Sequence, residues 1–270
     1  MTGRFTAGSR TVVREPALLT MMKFDQDRPV LAEETTLQVY LLPEVDFEAG
    51  LRFQRRLHYE ISGDRSQSAL VLCEHPPLIT VGRQGSRAHI LCEAQELRAR
   101  RWPVRWVNRG GGTLLHLPGQ LAMYPIVPLE RFGLGLEDYL QRLYAVGLSL
   151  LADFDIEGTI HPELPGIRVG GRVIAAAGVA VRDWVGTFGL YLNINPALDL
   201  FRQVRWGSLD EPPMTSLERE RRGRVRPGLV RQRLVEHFAG HFPCGRQALF
   251  SDHPSLNGSC HRAQGVSTPG

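Results

Sequence analysis

Hydrophobic and polar residues alternate along the middle of the chain with a short period that is typical of β-strands. Apolar runs bounded by Gly, Pro and polar residues predict short buried strands at residues 36–43, 69–73, 78–82, 104–108, 113–117 and 121–127. Two longer runs, at 172–182 and 185–195, follow. Asp183 and Trp184 separate them, which predicts a hairpin with a two-residue turn.

Three other segments repeat their apolar residues every three to four positions, as amphipathic helices do. These segments are 46–61, 135–154 and 228–242, and a shorter polar helix is predicted to begin at Cys92. Because predicted strands and helices are interleaved, the pattern indicates an α/β fold with a mixed sheet flanked by helices.

Both ends of the chain lack this periodicity. Residues 1–35 predict a loose arm, in which Met21 or Met22 offers an alternative start, and residues 246–270 predict a disordered tail rich in Ser, Gly, Pro and His. Residues 36–245 between them predict one domain. A chain of 270 residues that is 43% apolar is long enough to bury a full core.

Charge and cysteine usage restrict the cellular setting. The net charge of +4 suits an acidic partner or a nucleic acid without requiring either, and Lys23 is the only lysine. Cys73, Cys92, Cys244 and Cys260 have no paired C-x-x-C spacing and follow no signal-peptide pattern, so we expect a reducing, cytoplasmic setting. No apolar run has membrane-spanning length, and we expect no membrane partner.

The segment NRGGGTLLHLPGQ, residues 108–120, contains three consecutive glycines close to a histidine. Glycine loses more backbone freedom on folding than other residues, so a group must approach this backbone closely. A phosphate, an extended ligand or a crossing strand would each explain the run. The segment matches neither the P-loop nor the dinucleotide fingerprint, and a plain hairpin stays an alternative.

Several motifs in order resemble the lipoate-biosynthesis octanoyltransferases, within the class II biotin/lipoate protein ligase fold. The first is the Arg-Gly-Gly stretch at 109–111 with a histidine at 116 and a Pro-Gly-Gln corner at 118–120. The others are EHPPLITVGRQG at 74–85, GGRVIAAAGVAVR at 170–182, GLYLNINPALDLF at 189–201 and MTSL at 214–217. The resemblance covers roughly residues 38–240.

The resemblance implies transfer of an octanoyl group from an acyl carrier protein to a lysine of a lipoyl domain or H-protein. It implies no cofactor and no metal, and we expect a monomer. It also implies that His116 acts beside the reacting carbonyl. The substrate-binding residues that it implies are Arg109, Gly110, Gly111, Gly112, Gly119, Gln120, Ala176, Gly178, Gly189 and Asn193.

The sequence departs from the family at its two central catalytic positions. Gly207 stands where the family has its acyl-accepting cysteine, with Trp206 in place of the preceding proline, and Val173 stands where it has a lysine. Leu117 also replaces a glycine of the corner. Arg172 is predicted to point to the opposite strand face and cannot readily serve as a base.

Two functions therefore stay open. One is an acyltransferase that works without a covalent cysteine intermediate, with help from His116 as general base. The other is a non-catalytic relative that binds an acyl chain, a carrier protein or a lipoyl domain.

Two further clusters have less specific patterns. His237, His241 and Cys244, with Cys260 and His261, fit no standard zinc spacing, so a metal site is disfavoured. The run RERRGRVRPG, residues 219–228, has no interleaved aromatic residues, which argues against nucleic-acid binding. It predicts a solvated loop, with docking of an acidic carrier protein as the alternative.

Overall fold

The computed structural model describes residues 35–161, 165–206 and 213–257, and its strands form two sheets. The strands are β1 Thr36–Glu44, β2 Gln67–Glu74, β3 Leu78–Val81, β4 Val104–Trp106, β5 Thr113–His116, β6 Gln120–Ile126, β7 Thr159–Ile160, β8 Gly166–Val169, β9 Arg172–Arg182, β10 Val185–Asn193 and β11 Arg246–Phe250. The large sheet has the order β11-β1-β2-β6-β10-β9-β8-β7, and the small sheet has the order β4-β3-β5.

Both sheets mix parallel and antiparallel pairs. In the large sheet β1 runs parallel to β2 and β11, whereas β6, β10, β9, β8 and β7 pair antiparallel with their neighbours. In the small sheet β3 is parallel to β4 and antiparallel to β5. The prediction of a mixed α/β fold is confirmed.

Six α-helices accompany the sheets in the described part of the chain: α1 Phe47–Gly63, α2 Ala94–Arg100, α3 Leu136–Ala152, α4 Leu217–Arg221, α5 Pro227–His241 and α6 Pro254–Asn257. The three long predicted helices correspond to α1, α3 and α5. The first begins at Phe47 because the Asp46 side chain accepts the Ala49 N–H at 3.0 Å and caps the helix.

The helices cover the large sheet on both faces. Tyr139 and Leu143 of α3 share one buried cluster with Phe238 of α5. A second buried cluster contains Phe53 and Leu57 of α1 and continues to the small sheet. The boundary between the large and small sheets is therefore buried. The glycine-rich segment crosses it, since Gly110 bonds to Val179 of β9 and Thr113–His116 form β5.

The predicted hairpin is present, since β9 and β10 pair from Val185 opposite Arg182 onward. Asp183 and Trp184 both have positive φ, at 50° and 59°, as a two-residue hairpin turn requires. No helix among the described residues is long and apolar enough to span a bilayer.

Residues 246–250, which the sequence assigned to a tail, form a strand. Arg246–Phe250 form β11, which pairs with β1 in register from Thr36 opposite Arg246. The free edge of β1 offers unpaired backbone groups that this short segment satisfies, and the Tyr40 and Phe250 rings stack at 4.9 Å. The composition of this short segment gave no strand signal. Its pairing partner lies about two hundred residues away in the sequence, where a local pattern cannot report it. Residues 1–34 and 258–270 lie outside the described structure.

Candidate functional site

The three glycines lie against protein backbone. The Gly110 N–H donates to the Val179 carbonyl at 2.7 Å. Gly111 has φ of 78°, and an added Cβ there would lie 3.2 Å from the Ala177 carbonyl oxygen. A Cβ on Gly112 would clash with the Trp206 carbonyl oxygen. Of the three explanations for the run, close backbone crossing is the one seen in this structure.

Arg109 begins a chain of buried hydrogen bonds. Its side chain is fully buried, and Nη2 donates to the Thr80 hydroxyl at 2.7 Å and to the Thr80 carbonyl at 3.1 Å. Nη1 donates to the Gly110 carbonyl at 2.9 Å. Because the Thr80 oxygen accepts from Arg109, its own proton is free to donate to His116 Nε2, 2.8 Å away.

The chain continues from the other side of the His116 ring. His116 Nδ1 lies 3.0 Å from Gln120 Oε1, an atom that only accepts, so Nδ1 carries the proton. Gln120 Nε2 then donates to Asn193 Oδ1 at 2.9 Å, and Asn193 Nδ2 donates to the Thr215 carbonyl at 3.0 Å. The network therefore assigns a neutral ring whose Nε2 lone pair is engaged by Thr80.

The His116 side chain is enclosed on all sides. Burial lowers its pKa well below the usual value, and the nearby His75 and Arg109 lower it further. The Tyr191 ring packs edge-on at 4.7 Å and the Phe47 ring stacks at 6.0 Å. His116 is thus neutral at neutral pH, as a base must be, but neither ring nitrogen faces open space. Its catalytic role stays a prediction.

A second buried histidine stands beside the first, with ring centroids 6.3 Å apart. His75 Nδ1 donates to the Val45 carbonyl at 2.7 Å, and its Nε2 accepts from the Tyr124 hydroxyl at 2.7 Å. Burial lowers the His75 pKa to about 4. Sequence reasoning did not single out this residue, although a histidine directly after a buried strand, in EHPP, was a usable signal.

The space between β5 and β9 is almost filled. A cavity of only about 10 Å³ remains there, bounded by the Gln120, Ala176 and Asn193 side chains and by Trp206. That volume holds one water molecule at most. The Trp206 indole is 6% exposed, and its Nε1 has no hydrogen-bond partner among the described residues.

The position at which the resemblance implies a lysine is packed inside the protein. Val173 is fully buried and belongs to the same apolar cluster as Trp206. The replaced cysteine position, Gly207, lies outside the described residues. The sequence comparison with the family marked Trp206 only as a replaced proline, and its buried packing is seen first in the structure.

A second cavity, of about 660 Å³, lies between α1 and the β9–β10 hairpin. Its apolar wall comes from Leu51, Val107, Ala180 and Phe188, and its polar groups include Asn108. The volume is that of a small-molecule site. None of the predicted substrate-binding residues lines it, but Asn108 is the first residue of the glycine-rich segment. Sequence reasoning missed these lining residues because they come from four separate elements.

The remaining predicted glycines serve backbone packing. Gly119 has φ of 83° and donates its N–H to Glu74 Oε2 at 2.8 Å. A Cβ on Gly178 would lie 2.8 Å from the Gly110 carbonyl oxygen, and one on Gly189 would clash with the Met123 carbonyl oxygen. These positions hold the segment in place and do not contact either cavity.

None of the described cysteines has the setting of a nucleophile. Burial raises the pKa of Cys73 to about 12 and that of Cys244 to about 11, and it raises the pKa of Cys92. Arg172 binds Glu220 at 2.9 Å on the surface and so cannot replace the missing lysine.

The zinc alternative finds no support in the described part of the chain, where no group of three or more His, Cys, Asp or Glu side chains could hold a metal ion. His237 binds Asp153 at 2.7 Å, and His241 lies 3.3 Å from the Ser149 hydroxyl. Cys260 and His261 lie outside the described residues.

Comparisons with known proteins agree with these motifs. Residues 46–239 match the family model of the lipoyl protein ligase A/B catalytic domain. The chain is 36% identical to the octanoyltransferase of Syntrophobacter fumaroxidans over 65% of this chain and 77% of that protein. It is 34% identical to the octanoyltransferase of Geotalea uraniireducens over 73% of this chain and 88% of that protein.

Solved structures show the same fold at low sequence identity. The lipoate complex of LipL1 from P. falciparum has a TM-score of 0.64 at 11% identity, covering 83% of this chain and 70% of that chain. The bipartite lipoate protein ligase of Thermoplasma acidophilum has a TM-score of 0.61 at 14% identity, covering 83% and 90%. The chain therefore belongs to the lipoyl protein ligase A/B catalytic domain family, with octanoyltransferases among its relatives.

Proposed function

We propose that this protein acts in protein lipoylation as an octanoyltransferase-family member that binds the octanoyl group of an acyl carrier protein and forms no acyl-enzyme intermediate. Any transfer to the lysine of a lipoyl domain or H-protein then takes place directly from the carrier thioester. The observation that carries this proposal is the cavity of about 660 Å³ beside the glycine-rich segment, in a chain with Val173 and Gly207 at the two catalytic positions.

The cavity suits a medium acyl chain. Leu51, Ala180 and Phe188 supply an apolar wall, and each methylene that enters such a site contributes about 0.8 kcal/mol. The cavity also contains polar groups, from Gln54 and Asn108 among others, which suit the carbonyl end of a ligand.

Direct transfer needs few participants. The acceptor amine attacks the thioester carbonyl, a C–N bond forms, the C–S bond breaks, and the proton that the amine loses ends on the departing thiolate. A base that carries this proton accelerates the step, and His116 is the candidate named by the resemblance. Its Nε2 would first have to exchange Thr80 for a substrate group, so we expect slow transfer.

The second candidate, a non-catalytic binding protein, is favoured by one specific observation. Trp206 nearly fills the space bounded by Gln120, Ala176 and Asn193, which the resemblance assigns to the substrate, and both His116 ring nitrogens are engaged. Binding in the larger cavity does not require that space.

The binding half of the proposal is tested with free octanoate and octanoyl carrier protein by native mass spectrometry and thermal shift. Ala180→Phe fills the larger cavity and should abolish the octanoate-dependent shift. Ala152→Phe makes the same change at an exposed position of α3 and should leave the shift intact. Octanoate binding that survives Ala180→Phe would contradict the assignment of this cavity.

The two candidates separate in a transfer assay with a lipoyl domain as acceptor. Slow octanoylation of the acceptor that is lost in His116→Ala supports direct transfer. Octanoate binding without any acceptor modification supports the non-catalytic function.

A further inference from the structure

A histidine outside the glycine-rich segment lines the larger cavity, the one of about 660 Å³ between α1 and the β9–β10 hairpin. This residue is His58 of α1. Its Nε2 lies 3.1 Å from the Arg182 carbonyl oxygen, an atom that only accepts, so Nε2 carries the proton of the neutral ring. Nδ1 has no hydrogen-bond partner among the described residues and keeps its lone pair. His58 therefore offers an acceptor nitrogen, whereas both ring nitrogens of His116 are engaged.

Gln54 lines the same cavity, about one helical turn before His58. The Gln54 side chain is 4% exposed, and its Oε1 accepts the Phe188 N–H at 3.2 Å. Because this contact fixes the orientation of the amide, Nε2 is the free end, and it has no partner in the described part of the chain. A sheltered amide donor on a cavity wall suits the carbonyl oxygen of a ligand.

Phe188 has an unusual backbone conformation at this contact. Its φ is 57°, in the left-handed region that an aromatic residue rarely adopts. Gln54 holds the Phe188 backbone from α1, and the Phe188 side chain forms part of the apolar wall. Residues in such conformations persist where the surrounding structure holds them, and they cluster at ligand sites. The apolar wall and the free amide of Gln54 are therefore fixed relative to each other.

Apolar and polar groups follow one another along the cavity. Leu51, Gln54 and His58 are spaced three and four residues apart, so they lie along one face of α1. The hairpin runs beside this face: Gln54 contacts Phe188 within the hairpin, and His58 contacts Arg182 next to its turn. An acyl chain that lies against Leu51 and Phe188 therefore has its carbonyl end near Gln54 and His58.

The cavity wall near His58 is open to large partners. Tyr59 and Trp106 line the cavity and are 81% and 67% exposed. His116, by contrast, is buried and enclosed by other rings. A reaction that joins two proteins needs a base that both of them can reach, and His58 meets this requirement.

We propose that His58 is the general base for direct acyl transfer in the larger cavity and that Gln54 binds the carbonyl oxygen there. The acceptor amine attacks the thioester carbonyl carbon, a C–N bond forms, and His58 Nδ1 takes one amine proton. The Gln54 amide donates to the oxygen while negative charge develops on it. The C–S bond then breaks, its electron pair leaves with sulfur, and the thiolate takes the proton from His58. This inference rests on the proposed function, because it takes the larger cavity as the acyl site.

The test measures octanoyl transfer from a carrier protein to a lipoyl domain at pH 8, together with the affinity for octanoate. His58→Gln keeps a polar side chain of similar size but no base. It should lower the transfer rate about a hundredfold or more and change the octanoate affinity by less than about threefold. His237→Gln removes a histidine of α5 that does not line the larger cavity, and it should leave both quantities within about twofold.

Chemical rescue distinguishes a base from a residue that only supports the fold. In His58→Ala, added imidazole should restore transfer, because a small base can enter the space of the missing ring. Imidazole should not stimulate the unmodified protein. Gln54→Glu keeps an oxygen for the Phe188 N–H but replaces the free donor, and it should lower the transfer rate about a hundredfold.

Three outcomes would overturn the assignment. Transfer that survives His58→Gln but is lost in His116→Ala would return the base to His116. Transfer that is lost in His58→Ala and is not restored by imidazole would give His58 a structural role. Octanoate binding without any transfer by the unmodified protein would leave His58 no reaction to catalyse.

Ala180→Phe, measured on the same scale, separates this inference from the proposed function. If transfer depends on His58 and imidazole but is unaffected by Ala180→Phe, the acyl cavity is wrong and the assignment of His58 stands. If Ala180→Phe abolishes octanoate binding while transfer does not depend on His58, the acyl cavity stands and the assignment of His58 is wrong.

Discussion

Two spaces flank the glycine-rich segment, and they differ greatly in volume. On the side of α1 and the β9–β10 hairpin, a cavity of about 660 Å³ is open. On the side of β5 and the Val173 end of β9, Trp206 leaves about 10 Å³. The segment therefore borders room for a ligand at Asn108 and close-packed interior at Thr113, Leu114 and Leu115.

The difference separates two requirements that an acyltransferase normally combines. Holding an acyl chain needs an apolar wall, and the larger cavity has one at Leu51, Ala180 and Phe188. Transferring the chain through a covalent intermediate needs an ionisable nucleophile and a partner that activates it. At position 173, where the resemblance implies the activating lysine, this chain has a buried valine. It packs in the same apolar cluster as Trp206. Binding can persist where the chemistry has changed.

We call the side with the 10 Å³ cavity the closed side and the side with the larger cavity the open side. The largest loss of stability should come from truncating Trp206 on the closed side. Trp206→Ala removes a buried indole and should lower the free energy of unfolding by roughly 3–5 kcal/mol, measured by urea denaturation. Trp106→Ala makes the same change at the mouth of the open cavity, where the side chain is 67% exposed. It should cost about 0.5 kcal/mol or less. Similar losses in the two variants would contradict the contrast between the two sides.

A smaller effect should follow from a methyl group placed between the segment and Trp206. Gly112→Ala puts a Cβ against the Trp206 carbonyl oxygen and should lower the free energy of unfolding by about 2 kcal/mol, because the Trp206 backbone must move. Gly171→Ala adds a Cβ where nothing lies within 4 Å, at φ of 79°, and should cost about 1 kcal/mol from backbone strain alone. Equal losses of unfolding free energy in the two variants would mean that the Trp206 backbone moves aside without cost.

The buried histidines should make stability fall with acid. The folded-state pKa of His75 is lowered to about 4, and that of His116 is lowered too, both mainly by burial. Below about pH 6.5 the unfolded state therefore binds protons that the folded state does not. Stability is fully present above that pH and is lost toward pH 4, at about 1.4 kcal/mol per pH unit for each histidine.

His75→Gln should remove one histidine's share of that slope, whatever it does to the stability at pH 7. Unfolding free energies measured by urea denaturation between pH 7 and pH 5 give the slope. A slope that is unchanged in this variant would show that His75 is protonated as easily in the folded state as in the unfolded state.

The fold was largely predictable from the sequence because its signals are local. Alternation located β1, β2, β9 and β10, and the helical period located α1, α3 and α5, to within a few residues. The strand β11 was not predictable in this way, because its pairing with β1 depends on a neighbour that is distant in sequence.

The candidate site was predictable only in part. Motif spacing identified His116, Gln120 and Asn193, which the structure joins in one hydrogen-bond chain. The direction of that chain depends on Thr80, a polar residue inside an apolar strand that the pattern assigned to the core. Trp206 fills a space bounded by residues of four strands, β5, β6, β9 and β10, and no local sequence pattern reports such a contact.

The smallest expected effect is an absence, and it tests the chemistry on the closed side. After incubation with octanoyl carrier protein at pH 8, intact-mass spectrometry should detect no hydroxylamine-sensitive octanoyl adduct on the unmodified protein. Cys73, with a pKa of about 12, has roughly one thiolate in ten thousand at that pH. Burial also raises the pKa of Cys92, whose thiol donates to Gln203 Oε1 at 3.2 Å.

The variant that combines Gly207→Cys, Val173→Lys and Trp206→Pro should gain an adduct on the new thiol. It supplies the nucleophile and the lysine that the resemblance implies, and it removes the bulky Trp206 side chain from the cluster that contains position 173. The same variant with Ser at position 207 is the control and should gain no such thioester. An adduct on Cys73, Cys92 or Cys244 in the unmodified protein would show that a relocated thiol does the chemistry, and the contrast between an open binding side and a closed reacting side would then be wrong.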